Sequence, residues 1–342
     1  MKRKLLLLSF LSAAFFTAKA QDSTLTISGS VDTYFKYDLS DPGPVGQIPT
    51  SFAGDHNSLS IGMVDIALKK KISKAAFVGE ISFGPRGQAE SIPNSGDGNS
   101  YHIQNLYVSY DVTDKFSLTA GYMGTFIGYE VISPAANFNY STSYLFTNGP
   151  FQNAGLKANF VITDKVGLMV GVFNDVWNYY RSEKRVNTIG AQLSLAPVEG
   201  WSAYLNFISG PLSGTEFDLT TAYQITDAFK LGLNAATYSA GNDVDGGFTG
   251  VALYPQLAVT SGVTLGLRGE YFKTKAGDYE SFGPAPGESV VAITATANVK
   301  AGPLTFIPEF RFDNNSNEQY FNKAGNPTKS VSQFLLAAVY AF

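Results

Sequence analysis

Three observations in the sequence predict an all-β fold: a transmembrane antiparallel up-and-down β-barrel of about sixteen strands. Apolar residues recur at every second position in about sixteen segments, which is the period of a strand. The connections between these segments alternate between seven short turns and eight longer loops. The first twenty residues have the form of an export signal.

That signal has a basic start, Lys2-Arg3-Lys4, an apolar run from Leu5 to Phe16, and the small-x-small sequence Ala18-Lys19-Ala20. A membrane-spanning helix needs roughly 20 apolar residues, more than this run supplies. Residues 1–20 are therefore expected to be a cleaved signal peptide and residues 21–342 a single barrel domain. Cleavage removes four of the 24 Lys and Arg and none of the 28 Asp and Glu, so the formal charge falls to −8. With no Cys, neither a disulfide framework nor an amino-terminal lipid thioether is available. The 34 Gly, 19 Tyr and 26 Phe, against 15% charged residues, suit amphipathic strands with aromatic side chains at a membrane interface.

Taken in order, the predicted strands run over 24–37, 58–71, 75–85, 101–112, 115–128, 152–162, 165–175, 186–196, 200–209, 215–226, 228–239, 247–260, 262–274, 288–299, 302–313 and 330–342. The fifth reads clearly, with Phe116, Leu118, Ala120 and Tyr122 on one face and Ser117, Thr119 and Gly121 on the other. In the seventh, Val166, Leu168, Val170 and Val172 alternate with Gly167, Met169 and Gly171. The second is irregular, because Asp65 shares its parity with Ile61 and Met63.

Short turns such as Thr113-Asp114-Lys115, Thr163-Asp164-Lys165 and Thr226-Asp227-Ala228 contain Asp, which tolerates tight hairpin geometry. Longer loops fall at about 38–57, 86–100, 129–151, 176–185, 210–214, 240–246, 275–287 and 314–329. Strict alternation puts both chain ends on the short-turn side. Inside hydrocarbon every backbone N–H and C=O must be paired, which strands achieve only by closing the sheet. Sixteen strands enclose a lumen too wide for side chains to fill, so a water-filled channel is expected.

The loop at 129–151 is long, nearly uncharged and rich in aromatics, and long connections without structure of their own are usually functional. It is the third loop on its side and is expected to fold into the lumen. Glu130 is its single charge, and Phe138, Tyr140, Tyr144 and Phe146 are its candidate constriction aromatics. Such rings could stack on sugars, but more often they pin a loop to the wall. Strand parity assigns further pore-lining candidates: Asp32, Lys36, Glu80, Lys157, Asp218, Arg268, Glu270, Glu309 and Arg311. No ring or ladder stands out among them, so each is expected to face water or to pair with a neighbour. The acids slightly outnumber the bases, which predicts a weak preference for cations.

Catalysis finds no support. Only His56 and His102 could act as a general base, and neither belongs to a Ser/His/Asp arrangement. Both are expected to be solvent-facing loop residues. Asp243-Val244-Asp245-Gly246 and Gly96-Asp97-Gly98 lack the spacing of a calcium loop and read as turns. There is no phosphate loop and no basic patch for nucleic acid, and no metal or other cofactor is expected. The chain is too short for a barrel of 22 strands with a plug.

Two features resemble known outer-membrane proteins. Phe334, Leu336, Ala338, Tyr340 and Phe342 share one face of the last strand and end in an aromatic residue. This is similar to the signal read by the barrel-assembly machinery, and makes Phe342 its candidate key residue. Gly128-Tyr129-Glu130, Asn137-Phe138-Asn139-Tyr140-Ser141, Gly149-Pro150-Phe151, Asn153-Ala154-Gly155 and Val172-Phe173-Asn174-Asp175, with the overall strand spacing, resemble the OmpL-like β-barrel porins of Gram-negative bacteria. The resemblance covers essentially residues 21–342. It implies an outer-membrane channel and says little about the solute; the third loop is similar in ordinal position and length to the constricting loop of the general porins, and passive diffusion of small hydrophilic solutes is the expected function. A substrate-selective porin and a structural or adhesive barrel with a blocked lumen are the alternatives. Outer-membrane lipid and the assembly machinery are the expected partners, with monomer or homotrimer left open.

Overall fold

The computed structural model describes residues 23–41, 43, 45–86, 102–175 and 185–342. The predicted signal peptide and Gly96-Asp97-Gly98 lie outside the described residues, as do most of the second and fourth long loops. Sixteen strands close a barrel: β1 Thr26–Asp38, β2 Ser58–Ile72, β3 Ala75–Phe83, β4 Ile103–Thr113, β5 Phe116–Gly124, β6 Gln152–Thr163, β7 Val166–Phe173, β8 Thr188–Leu195, β9 Trp201–Gly210, β10 Gly214–Gln224, β11 Phe229–Ser239, β12 Gly247–Ala258, β13 Val263–Thr274, β14 Ser289–Ala301, β15 Leu304–Asn315 and β18 Ser330–Ala341. Each is antiparallel to its neighbours in sequence, and β1 pairs with β18 to close the ring. A two-residue pair, β16 Tyr320–Phe321 and β17 Pro327–Thr328, forms a small separate hairpin in the last long loop. Among the described residues no helix is long and apolar enough to cross a membrane.

The two faces of the wall follow from the two-residue period. Along β18, Leu335 is 1% exposed and Leu336 is 42% exposed, and Phe334 and Tyr340 point outward with Leu336. An outward apolar face suits lipid. The ladder meanwhile pairs the backbone groups that hydrocarbon would leave unsatisfied. Phe342 lies just beyond β18 and exchanges both backbone bonds with Gly29 at 3.0 and 3.1 Å. Deleting Phe342 should therefore lower the amount of heat-modifiable folded protein in the outer membrane. Phe342→Ala, which keeps the backbone bonds, isolates the contribution of the ring. Normal folded levels in both variants would remove the aromatic from any part in assembly.

The irregular parity of the second strand has a local cause. Register between β1 and β2 shifts at Val31/Thr33, so that two residues of β2, Gly62 and Met63, stand opposite Asp32. This β-bulge turns Ile61 outward (62% exposed) and Met63 and Asp65 inward (3% and 5%). The Asp32 carboxylate accepts the freed Met63 N–H at 2.9 Å. It also fills the space where a Cβ on residue 62 would sit, so any other residue there would have to displace that carboxylate.

Five expectations need correction. The fifth strand ends at Gly124 rather than at 128, because Phe126 and Ile127 leave the ladder to pack on Ile208 of the inner face. The connection between β9 and β10 is a tight three-residue link rather than a long loop. In the Thr-Asp turns the threonine does the holding: the Oγ1 atoms of Thr113, Thr163 and Thr226 accept backbone N–H groups two residues on. His56 is buried rather than solvent-facing, because its Nδ1 accepts the Asp38 N–H at 2.9 Å where the β1–β2 ladder runs out. His102 is half-buried, with its ring 4.7 Å from that of Phe83.

Candidate functional site

The connection between β5 and β6 spans residues 125–151. It opens with Gly128 at φ +85°, a left-handed conformation that redirects the chain. From there it makes contacts all along the opposite arc of the ring. The Gly128 N–H donates to Asp218 of β10 at 3.1 Å. The Tyr129 ring stacks on Tyr254 of β12 at 4.4 Å, and burial pushes its phenol up to about 12, with the neighbouring Glu130 adding to the effect. Glu130 pairs with Arg268 of β13 at 2.9 Å, and its other oxygen accepts the Ser143 N–H at 2.8 Å.

Residues 131–137 close on themselves. The Asn137 side chain bonds both the N–H and the C=O of Val131, and Pro134–Ala136 form a 3-10 turn. Phe138 covers Gly266 of β13, and its carbonyl accepts from Asn298 of β14 at 2.8 Å. Asn139 donates to Thr296 at 2.7 Å. The Glu309 carboxylate of β15 accepts the N–H groups of Tyr140 and Ser141 and the Ser141 hydroxyl. Tyr140 reaches Asp32 of β1 through its hydroxyl, and its carbonyl accepts from Arg86 at 2.8 Å. The Arg86 guanidinium lies between the rings of Phe52 and Tyr140, 4.5 and 4.6 Å from their centroids.

Two arginines carry the centre of the arrangement. Arg268 donates to Glu130, to the Ser141 carbonyl at 2.6 Å, and to the Thr142 carbonyl and Thr294 hydroxyl at 3.2 Å each. Arg311 grips Asp313 through two bonds of 2.8 and 2.9 Å and donates to the Thr142 carbonyl at 2.8 Å. A buried charge is tolerated only when paired and hydrogen-bonded, and both guanidinium groups meet that condition.

A short helix, α1 Tyr144–Asn148, follows. Ser143 caps it by accepting the Phe146 N–H, and both oxygens of Glu270 accept the N–H groups of Tyr144 and Leu145 at 3.0 and 2.9 Å. The Tyr144 hydroxyl donates to Asp313 at 2.8 Å. Thr147 bonds Ser51 of the first long loop, and Asn148 exchanges bonds with the backbone of Phe282 in the seventh. Phe146 stacks on Phe151, and both rings meet Phe52.

All the parity-assigned charges therefore sit on the inner face, and most of them hold this segment or another loop. Lys36 donates to the Gly54 carbonyl of the first long loop at 2.7 Å, and Glu80 accepts from Asn105 at 2.7 Å. Lys157 stands on the inner face of β6 without a hydrogen bond or ion pair among the described residues. Tyr140, Tyr144 and Phe146 are enclosed, so their ring faces are spent on packing; Phe138 is half-buried. The side of the segment left open is uncharged: Val131, 37% exposed, with Ser133, Ala136 and Asn137.

Sequence reasoning missed Asp38, Asp65, Lys69, Arg86, Glu216, Lys230 and Asp313 on this face. Glu216 shares the parity of Asp218, and Asp313 that of Glu309 and Arg311, so a full count along those strands would have found both. Asp65 was hidden by the bulge, and Arg86 lies beyond the end of β3, where parity says nothing. In the Asp243 turn, Asn242 and Asp243 adopt left-handed φ, and the Asp245 carbonyl accepts from Asp278 and Tyr279. No group of three metal-binding side chains occurs among the described residues.

A closed sixteen-stranded barrel with an apolar outer and a polar inner face defines an outer-membrane β-barrel of the porin class. The chain belongs to the family described as "Putative beta-barrel porin-2, OmpL-like", whose model matches residues 24–342. The outer membrane channel DcaP of Acinetobacter baumannii is similar at 15% identity and a TM-score of 0.62, over 96% of this chain and 99% of that one. OmpF of Salmonella typhi, solved with daunomycin, matches at 13% identity and 0.62, over 94% and 100%. An anion-selective porin from Comamonas acidovorans matches at 14% identity and 0.60, over 94% and 100%. Comparison with curated proteins found no match.

Proposed function

We propose that this protein is a diffusion porin, a water-filled channel for small hydrophilic solutes, and that residues 125–151 lie within the lumen and narrow it. One observation carries this reading. The segment that starts between β5 and β6 is bonded to the inner faces of β10, β13, β14, β15 and β1, while the inner face of β3 to β9 keeps partly exposed polar side chains such as Ser109, Ser117, Asn159 and Ser194. The solute path would run between that wall and the uncharged rim of Val131, Ser133, Ala136 and Asn137. With Tyr140, Tyr144 and Phe146 enclosed, a diffusion channel is favoured over sugar stacking.

The proposal includes export through a cleaved signal peptide at residues 1–20, a mature barrel from residue 21, assembly in a Gram-negative outer membrane, and no catalysis or cofactor. A homotrimer is compatible with the trimer form of Vibrio cholerae OmpT among similar structures. Weak cation preference remains the expected selectivity, because the newly placed inner-face charges add more acids than bases, and a wide aqueous lumen screens charge over about 8–10 Å. Planar-bilayer conductance of the purified protein tests the channel, and a closed barrel would instead work through its external loops. Reversal potentials in a salt gradient should show a modest cation preference that Lys157→Gln strengthens and Glu80→Gln weakens. Clear anion selectivity in the wild type would overturn the charge assignment.

A further inference from the structure

Among the described residues, two apolar grooves on the lipid-facing wall have the same volume, about 590 Å³ each, and different ends. The first crosses β2 to β6 and is lined by Phe77, Val108, Tyr110, Leu118 and Ala120, with Lys70 at the short-turn end. The second crosses β11 to β15 and β18, is lined by residues such as Leu257, Leu265, Leu267 and Phe334, and includes no Lys or Arg. Three consecutive lysines precede the β2–β3 turn, and the strand period separates them. Lys71 is ion-paired with Asp111 at 2.5 Å, and Lys69 faces inward with Asp65 and Ala67. Lys70 follows Ile66 and Leu68 onto the outer face and makes no hydrogen bond or ion pair among the described residues. Nearby Lys74 is spent on the Val112 carbonyl at 3.1 Å.

We infer that the groove over β2 to β6 holds one phospholipid with an anionic headgroup, its acyl chain along Phe77, Val108, Leu118 and Ala120 and its phosphate at Lys70. An outward Lys is costly at mid-membrane and nearly free at the interface, where its stem covers apolar surface and its ammonium reaches the headgroup level. Tyr110 stands on the same rim, the depth at which membrane proteins concentrate tyrosine. The groove supplies the shape for a chain, and the unpaired ammonium at its end supplies the charge complementarity that selects the headgroup. The second groove has the same volume without the cation, so it takes acyl chains without regard to headgroup.

Native mass spectrometry of the purified, detergent-solubilised protein mixed with equal amounts of dimyristoyl phosphatidylglycerol and dimyristoyl phosphatidylcholine tests this. The wild type should retain about fivefold more phosphatidylglycerol, the ratio expected from one lysine near a membrane surface. Lys70→Gln should equalise the two lipids. Ala120→Trp should fill the groove and also abolish the excess, leaving the indifferent binding of the second groove. Both substitutions face outward, and heat modifiability reports whether the barrel still folds. Equal retention by the wild type would overturn the inference. So would a second copy of the chain in place of lipid, seen as an oligomer that Ala120→Trp dissociates.

Discussion

Replacing Arg268 with alanine is expected to raise single-channel conductance and to lower the temperature at which the folded form is lost in heat-modifiability assays. Arg268 is fully buried and binds Glu130, Ser141, Thr142 and Thr294 at once, so its loss leaves the Glu130 carboxylate without its ion pair and the Ser141 carbonyl without its donor, while Arg311 still serves the Thr142 carbonyl. Breaking a buried ion pair from one side costs about 3–5 kcal/mol. That is enough to release residues 130–142 from the β13 wall while the sixteen-strand ladder stays intact. Arg268→Lys should be intermediate, because an ammonium keeps the charge and loses the planar fork that reaches several acceptors. If Arg268→Ala changed neither conductance nor thermal behaviour, the anchors at Glu270, Glu309 and Asp32 would be sufficient without it.

Removing Ala135 to Thr147 is expected to have the larger effect on transport. The deletion takes away Tyr140, Ser141 and Tyr144, the residues through which Asp32, Glu309, Asp313 and Glu270 are satisfied. These carboxylates would then face the lumen with Arg268 and Arg311. Conductance should rise, larger solutes should pass, and cation preference should grow because the uncovered acids outnumber the uncovered arginines. Liposome swelling with sugars of graded size, together with reversal potentials, checks all three. Unchanged conductance would place the narrowest point elsewhere, most simply in one of the other long loops.

The wall was legible in the sequence to within a few residues because lipid on one side and polar groups on the other impose a strict two-residue alternation. Where another force wins, the reading fails. At Phe126 and Ile127 the apolar alternation continues, but the side chains serve the inner cluster with Ile208. At Gly62 and Met63 a bulge shifts the parity, and no periodicity could foresee that the Asp32 carboxylate would occupy the space. Parity also gives a residue's face but never its partner across the lumen. Glu130 and Arg268 stand 138 positions apart and meet only because the ring has closed. Arg86 was out of reach for the same reason, since its place between Phe52 and Tyr140 depends on three separate loops.

Tyr140 has a mechanical consequence. Its backbone is held by Glu309 of β15 and its hydroxyl by Asp32 of β1, and β18 is the strand between those two. β1 and β18 are the first and last strands of the ring, so the tyrosine straddles from inside the join where the two ends of the chain meet. Its ring packs in the same buried cluster as Tyr34 of β1 and Leu335, Ala337 and Val339 of β18. The segment that we propose narrows the passage is thus also placed as a latch across the seam. Because its anchor points lie on both sides of that seam, both bonds can be made together only once the last strand has paired with the first.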